Sequence, residues 1–245
     1  MNPATDPRLP QNVLDHFATF ESPWRRRRLQ LYLGWKRLLW RWLVGGAHLT
    51  KRTLDLFGSG CALLVFSPLL ALIALLIKLE DRGPVLFPQI RVGRHGREFR
   101  MLKFRSMKVD AEARLHEMLG ENHHATGVTF KIKDDPRITR VGKWARRFSF
   151  DELPQFYNVF VGEMSLVGPR PPLPREVALY TLADRRRLAI TPGITCLWQI
   201  SGRAEIDFPG QVKLDVRYIE SRSFWQDIKI LCKTVPAVLS GNGAY

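Results

Sequence analysis

The chain has 245 residues, of which 45% are hydrophobic and 25% charged, an ordinary composition for a globular protein with a buried core. Its 38 Lys and Arg against 23 Asp and Glu give a formal charge of +15, so a polyanionic partner is expected: nucleic acid, an anionic membrane or a phosphorylated substrate. The three scattered cysteines imply no disulfide framework, and no CxxC pair or Cys/His spacing indicates a zinc site, which favours a reducing compartment.

The first fifty residues are basic and rich in aromatic side chains. Residues 1–22 are predicted to form a loose tail. In residues 24–43, basic residues alternate with Trp, Leu and Tyr, a pattern typical of an amphipathic helix in the headgroup region of an anionic bilayer. A soluble helix packed on the rest of the protein is the alternative. We therefore assign residues 1–50 to a basic tail and an interfacial helix.

Residues 54–77 are almost entirely apolar and long enough to cross a bilayer of about 30 Å. Pro68 removes a backbone donor and clashes with the Leu64 carbonyl, so a break is expected there, with Ser67 bonding a freed backbone group. Because both flanks are basic and basic flanks favour the cytoplasmic side, we predict that residues 51–79 form a re-entrant helix. A straight span and a buried core helix are the alternatives.

Residues 80–245 are predicted to form a small cytoplasmic domain of the α+β class, mainly helical, with a β-hairpin. Residues 85–91 and 98–105 resemble two strands joined by a Gly-containing turn. Apolar spacing and turn residues predict further elements: helices at 110–119, 137–148, about 175–188, 208–220 and 224–239, and an extended segment at 194–200.

Two adjacent carboxylates, Asp151 and Glu152, are the first candidates for chemistry. They follow two arginines, and an ionised carboxylate near a helix N-terminus suits attack on phosphorus or binding of a metal ion. Alternatively, Asp151 simply caps a helix that has Pro154 in its first turn.

Arg170 is the second candidate, because prolines on both sides restrict the backbone that presents it. Guanidinium groups suit bidentate contacts with phosphate, although a rigid surface turn with an incidental arginine would look the same. Lys103, Arg146 and Arg203 would add to an electropositive floor. Together these residues indicate phosphoryl transfer assisted by Mg²⁺, whose usual ligands are carboxylate and phosphate oxygens.

Several longer motifs, in order, resemble the bacterial sugar transferases, the monotopic phosphoglycosyl transferases. They are residues 51–55, Ser67-Pro68, 135–139, 149–155, 158–159, 162–171 and 192–195, and the resemblance covers about residues 50–245. It implies that Asp151 attacks the β-phosphorus of a UDP-sugar and releases UMP. Undecaprenyl phosphate would then take the sugar phosphate from the aspartyl intermediate, the first membrane step of exopolysaccharide or glycoconjugate synthesis.

The resemblance also implies residue roles. Asp151 would contact Mg²⁺, Glu152 would assist acceptor deprotonation or metal placement, and Arg170 would bind phosphate. Lys103, Arg146, Arg203 and Asp215 fall on polar family positions. The family's re-entrant anchor breaks at Ser-Pro, in agreement with the charge argument, and implies the cytoplasmic face of the bacterial inner membrane.

The segment 110–133 resembles members that serve exopolysaccharide assembly, which favours UDP-glucose or UDP-galactose as the donor. The sugar, the polysaccharide and homo-oligomerisation are left open. The alternative functions are a non-catalytic basic membrane scaffold and a membrane-attached nucleic-acid-binding protein. No nucleic-acid-binding module is recognisable in the sequence, so we expect no nucleic-acid partner.

Overall fold

The computed structural model describes residues 23–109, 111, 135–202 and 206–240. This part of the chain is mainly helical, with a small antiparallel β-hairpin and two short parallel strands, which confirms the predicted mixture of elements. Predictions for the tail 1–22, the helix 110–119 and Arg203 lie outside the described residues. The chain divides into two compact units between Lys51 and Arg52.

Helix α1 covers Pro23–Val65 and continues through the predicted boundary at residue 50. In the first unit it carries large apolar side chains that are exposed, among them Trp24, Leu31, Tyr32 and Trp35. The Lys36 ammonium lies 4.8 Å from the centroid of the Tyr32 ring. Aromatic and basic side chains thus share this helix, as the sequence pattern predicts.

Helix α1 ends at Val65 and helix α2, Ser67–Asp81, follows after one residue. Pro68 lies in the first turn of α2, and the Ser67 hydroxyl donates to the Leu64 carbonyl at 2.8 Å. The predicted break is therefore confirmed, and so is the role of Ser67 in bonding a freed carbonyl. Among the described helices none alone has the length and apolarity to cross a bilayer, whereas 48–65 and 67–81, bent by 59°, meet that criterion as a pair.

Strands β1, Leu86–Val92, and β2, Glu98–Phe104, form the predicted antiparallel hairpin, with Leu86 opposite Phe104 and Val92 opposite Glu98. A 3₁₀ turn over Arg94–Gly96 closes it. His95 and Gly96 both have positive φ, at 57° and 81°, and glycine adopts this conformation at little cost. The hairpin carries Lys103 on its second strand.

Helix α3, Arg140–Arg147, is shorter than the predicted segment 137–148 because Thr139 caps it, its hydroxyl accepting from the Gly142 amide at 2.9 Å. The Glu80 carboxylate of α2 also accepts from the first amides of α3, at 2.8 and 3.2 Å. A carboxylate at a helix N-terminus is favourable for the helix dipole. The cap and this contact fix α3 against the end of the bent helix pair.

A short 3₁₀ helix, Phe150–Glu152, leads into helix α4, Gln155–Val161. Strands β3, Ser165–Val167, and β4, Gly193–Thr195, then pair in parallel. The extended segment predicted for 194–200 is wrong beyond Thr195, because Trp198–Ile200 form a 3₁₀ turn.

The prediction of one charged helix over about residues 175–188 is also wrong. Helix α5 covers only Pro174–Ala178, and a 3₁₀ segment follows at Asp184–Ala189. Between them, the Asp184 carboxylate accepts from both the amide and the hydroxyl of Thr181, at 2.9 and 2.7 Å. Local side-chain bonds of this kind offer the backbone an alternative to a helix.

Helices α6, Phe208–Ser221, and α7, Phe224–Ser240, complete the domain much as predicted. The main core cluster joins residues of β2, α4, β3, α6 and α7 with Met164, which lies just before β3: Phe99, Met101, Val159, Leu166, Val167, Tyr218 and Ile230. A second cluster packs Ile73 and Ile77 of α2 on Phe104 of β2. The second half of the bent pair is therefore part of the domain core.

The first half of the pair is joined to the domain by two charged residues near its start. Arg52 donates to the carbonyls of Val159 and Phe160, both at 2.7 Å, at the end of α4. The buried Asp55 carboxylate accepts from the hydroxyl of Ser165 at 3.0 Å and from the amide of Leu166 at 2.9 Å. The charge of Asp55, at the start of the apolar run, thus ties this helix to strand β3.

Candidate active site

Asp151 lies in the 3₁₀ helix between α3 and α4, at a sharp turn of the backbone. Ser149, two residues before Asp151, has φ of 57°, a left-handed conformation uncommon for residues other than glycine. The Asp151 side chain is buried, 8% exposed, and forms no hydrogen bond or ion pair with the described residues. Pro154 is the N-cap of α4, so the interpretation of Asp151 as a simple helix cap is wrong.

Burial raises the pKa of Asp151 above its ordinary value, and the charge of Lys103 opposes this rise. A buried carboxylate without a protein partner is costly, and such groups are concentrated at functional sites. The oxygens of the Asp151 carboxylate are therefore not used by the described fold and are available to a ligand.

Glu152 is held by two cations. Its Oε1 lies 2.9 Å from the Lys103 ammonium and 3.4 Å from the Arg170 guanidinium. Burial opposes ionisation of Glu152, but the charges of Lys103 and Arg170 outweigh it and lower the pKa to about 2. The adjacent carboxylates thus differ: one is free of protein partners in the described structure, and the other fixes two cations beside it.

The loop that presents Arg170 is fixed on both sides. Arg91 of β1 donates to the Pro171 carbonyl at 2.9 Å, and the Val92 amide donates to the Pro172 carbonyl at 2.9 Å. On the other side, the Gly193 amide donates to the Pro169 carbonyl at 2.9 Å, and a Cβ on Gly193 would lie 2.1 Å from the backbone of Gly168. The predicted rigidity of this loop therefore comes from long-range bonds as well as from its prolines.

The second compact unit contains a cavity of about 1360 Å³. Its wall includes five residues that were singled out from the sequence: Lys103, Arg146, Asp151, Glu152 and Arg170. Three of the five are cations, so the cavity suits an anionic ligand that bears more than one negative charge.

Asp215 is not part of the cavity wall. It is almost fully buried and pairs at 2.7 Å with Arg187, which does line the cavity. Burial raises the pKa of Asp215 to about 6, against the opposing charge of Arg187. Asp215 is thus placed to hold Arg187 in position.

Ser67 and Pro68 also lie outside the cavity wall, although the preceding Phe66 belongs to it.

Sequence reasoning missed several residues of the cavity wall: Arg91, Tyr180, Arg187 and Trp198. Arg187 donates to the Tyr180 hydroxyl at 3.1 Å and lies 5.6 Å from the Phe208 ring centroid. It is the third arginine of a run of three, where sequence alone gives no reason to separate it from its exposed neighbours. One feature of the sequence could have indicated Arg91, namely that a charged residue lies next to apolar residues on a predicted strand.

Among the described residues, no group of three His, Cys, Asp or Glu side chains could hold a metal ion. A cage made by the protein alone is therefore not found in that part of the chain. Mg²⁺, however, is commonly bound by one or two carboxylates together with substrate phosphates and water. Asp151, whose carboxylate has no partner there, fits that kind of shared site.

Comparison with known proteins gives a consistent set of matches. Residues 46–241 match the family model described as bacterial sugar transferase. The galactosyl transferase CpsE of Streptococcus agalactiae is 52% identical over 200 residues, which are 81% of this chain and 44% of CpsE. The exopolysaccharide production protein ExoY of Rhizobium meliloti is 42% identical over 205 residues, 82% of this chain and 90% of ExoY.

A third relative, the undecaprenyl-phosphate glucose phosphotransferase of Komagataeibacter xylinus, is 43% identical over 208 residues, 80% of this chain and 37% of that protein. This chain therefore spans less than half the length of CpsE and of the Komagataeibacter relative, but matches most of ExoY. The matched region includes the whole cavity wall.

Proposed function

The chain belongs to the bacterial sugar transferase family, and from this membership we propose that it transfers a sugar 1-phosphate from a UDP-sugar to undecaprenyl phosphate, releasing UMP. The observation that carries the proposal is the buried Asp151 carboxylate, which lacks a partner among the described residues and shares a cavity with the cations of Lys103, Arg146 and Arg170. This arrangement offers one nucleophile and several phosphate-binding groups.

In the first step, a carboxylate oxygen of Asp151 forms a bond to the β-phosphorus of the donor. The bond from that phosphorus to the bridging oxygen breaks, and UMP leaves with the oxygen and its electron pair. In the second step, a phosphate oxygen of undecaprenyl phosphate attacks the same phosphorus. The phosphorus–aspartate bond breaks, the carboxylate is regenerated, and the product is an undecaprenyl-diphospho-sugar.

Lys103, Arg146 and Arg170 would bind the phosphate oxygens and stabilise the charge that develops on them. Glu152, with a pKa of about 2 and two cations on one oxygen, is a weak base. Of the two roles that the family resemblance implies for it, deprotonation of the acceptor is therefore disfavoured. We propose that Glu152 holds Lys103 and Arg170 in position. Arg203 remains a proposed phosphate-binding residue, and Asp215 acts through Arg187.

Mg²⁺ is part of the proposal, with Asp151 as its protein ligand and the donor phosphates as the others. When bound, the ion would neutralise charge on the diphosphate. The protein's own contribution is to keep the Asp151 carboxylate free of hydrogen bonds from the described residues and to hold the cations around it.

We further propose that residues 51–79 are a re-entrant anchor, with the cavity at the cytoplasmic face of the bacterial inner membrane. The 59° bend and the exposed apolar side chains on both halves of the pair, including Phe57, Leu64, Leu72 and Leu75, support this arrangement. Basic residues at both ends, such as Arg52 and Arg82, favour the same side. The exposed aromatic and basic side chains of α1 support an interfacial helix on an anionic bilayer.

The donor is proposed to be UDP-glucose or UDP-galactose, in keeping with the sugars in the names of the Komagataeibacter and Streptococcus relatives, and the product to enter exopolysaccharide synthesis, as the name of ExoY suggests.

The test is UMP release by the purified chain with UDP-glucose or UDP-galactose, Mg²⁺ and undecaprenyl phosphate. We expect turnover by the wild type and its loss in Asp151→Asn. Asp184→Asn, at a site outside the cavity wall, is the matched control and should retain activity. Equal turnover by Asp151→Asn and the wild type would contradict the proposed nucleophile, and a wild type inactive with a broad panel of UDP-sugars would favour a scaffold.

A further inference from the structure

The residues next to the carboxylate pair are strongly apolar. Phe150 precedes Asp151, and Leu153 and Phe156 follow Glu152; all three are half-buried and line the same cavity as the carboxylates. A uracil base or a sugar face can stack on one aromatic ring, whereas several neighbouring apolar side chains suit a longer hydrocarbon ligand. Apolar side chains left partly exposed inside a cavity indicate an apolar ligand.

This apolar wall contacts the bent helix pair at its break and in its second half. Phe156 stacks on Phe66 at the bend, with ring centroids 6.4 Å apart and an interplanar angle of 20°. Phe150 packs with the cluster formed by Ile73 and Ile77 of α2. Phe66 also lines the cavity. An apolar surface therefore links the break in the anchor to the buried carboxylate.

The cavity thus combines two kinds of surface. Lys103, Arg146 and Arg170 suit a phosphate, and the aromatic wall of Phe66, Phe150, Leu153 and Phe156 suits a hydrocarbon chain. A ligand with an anionic head and an apolar tail matches both. Among the substrates in the proposed reaction, only the acceptor has this chemistry.

We propose that this aromatic wall binds the first isoprene units of the acceptor's polyprenyl chain and so directs its phosphate toward Asp151. The inference rests on the proposed function and adds to it a binding site for the lipid. The chain enters at Phe66, where the anchor breaks, and runs past Phe156 and Leu153 to the cations. Recognition of the tail contributes to the second step alone, because the donor has no such tail.

The experiment compares two acceptors, undecaprenyl phosphate and isopentenyl phosphate, which has a single isoprene unit. The ratio of their kcat/KM values measures recognition of the chain. Phe156→Ala should lower this ratio about tenfold, which corresponds to about 1.4 kcal/mol, because a phenyl ring no longer covers the chain. Phe160→Ala is the matched control: the same helix carries Phe160, outside the cavity wall, and the ratio should not change.

UMP release without acceptor, in a single turnover, separates this inference from the proposed function. A wild type that releases no UMP with any donor would contradict the function itself. If the wild type releases UMP but Phe156→Ala keeps the wild-type acceptor ratio, the aromatic wall does not bind the chain. A rise in the KM for the UDP-sugar with an unchanged acceptor ratio would assign the wall to the donor and overturn the inference.

A second pair of variants covers the case in which Phe156→Ala does not fold. Phe66→Ala removes the ring that stacks on Phe156 from the other element, with Phe57→Ala as control, since Phe57 lies on the same helix pair, exposed and outside the wall. Phe66→Ala should lower the acceptor ratio and Phe57→Ala should not. Equal ratios in these two variants would overturn the proposal.

Discussion

Asn158 joins helix α4 to the edge of the hairpin, and its replacement by aspartate is a sharp test of how the site is supported. The buried side-chain oxygen accepts from the Leu102 amide at 2.9 Å, and the side-chain nitrogen donates to the Arg100 carbonyl at 2.8 Å and to the Glu163 carboxylate at 2.6 Å. Leu102 is adjacent to Lys103 in β2, so Asn158 links the segment after Asp151 to the strand that carries the Lys103 cation.

Asn158→Asp keeps the shape and the Leu102 bond but exchanges a donor for an acceptor. The two hydrogen bonds donated by the side-chain nitrogen are lost, at ~1 kcal/mol each. The carboxylate oxygen that replaces this nitrogen is buried without a donor and adds ~1–3 kcal/mol, which gives ~3–5 kcal/mol in total. Repulsion from Glu163 adds little, because Glu163 is exposed. For a domain of this size the unfolding midpoint should fall by at least ~6 °C.

The assay is thermal unfolding of the purified full chain followed by near-ultraviolet circular dichroism at pH 8. Glu163→Gln alone should change the midpoint little, because its amide oxygen still accepts from Asn158. Combined with Asn158→Asp, it should recover about 1 kcal/mol, because its amide nitrogen can donate to the new carboxylate. A midpoint for Asn158→Asp within about 2 °C of the wild type would refute the reasoning.

Three further predictions concern the anchor and the cavity. Pro68→Ala should straighten the break; cysteine labelling from each side of the membrane would then find the two flanks of the anchor on opposite faces, and labelling from one face would contradict the prediction. Lys103→Met removes a cation 2.9 Å from Glu152 and should slow single-turnover UMP release about a hundredfold, whereas Lys213→Met, on the exposed side of α6, should not. Asp215→Asn removes the charge partner of Arg187 and should raise the KM for the UDP-sugar, measured by UMP release; an unchanged KM would assign Asp215 to stability alone.

The features that the sequence could predict depend on interactions between residues that are close together in the chain. Pro68 removes a backbone donor and clashes with the turn that precedes it, and Ser67 is adjacent to it, so the bend and its hydrogen bond follow from neighbouring residues. The hairpin follows from two short runs and a turn containing glycine. Asp151 and Glu152 are adjacent, and the loop around Arg170 is marked by its prolines. In each case the signal lies within a few residues.

The features that the sequence could not predict depend on hydrogen bonds and ion pairs between residues far apart in the chain. Asp55 bonds the amide of Leu166, 111 residues away, Arg91 bonds the Pro171 carbonyl, 80 residues away, and Arg187 meets Asp215, 28 residues away. Nothing near these residues indicates the partner. The broken helix after Ala178 was missed for another reason, because the bonds between Thr181 and Asp184 compete with helix formation although the charge pattern is helical.

The most direct test of the account is mass spectrometry of the protein after incubation with a UDP-sugar and Mg²⁺ in the absence of acceptor. We predict a mass increase of one sugar phosphate, located on the peptide that contains Asp151 and removed when undecaprenyl phosphate is added. A stable adduct on another residue, or turnover by Asp151→Asn at the wild-type rate, would contradict the account.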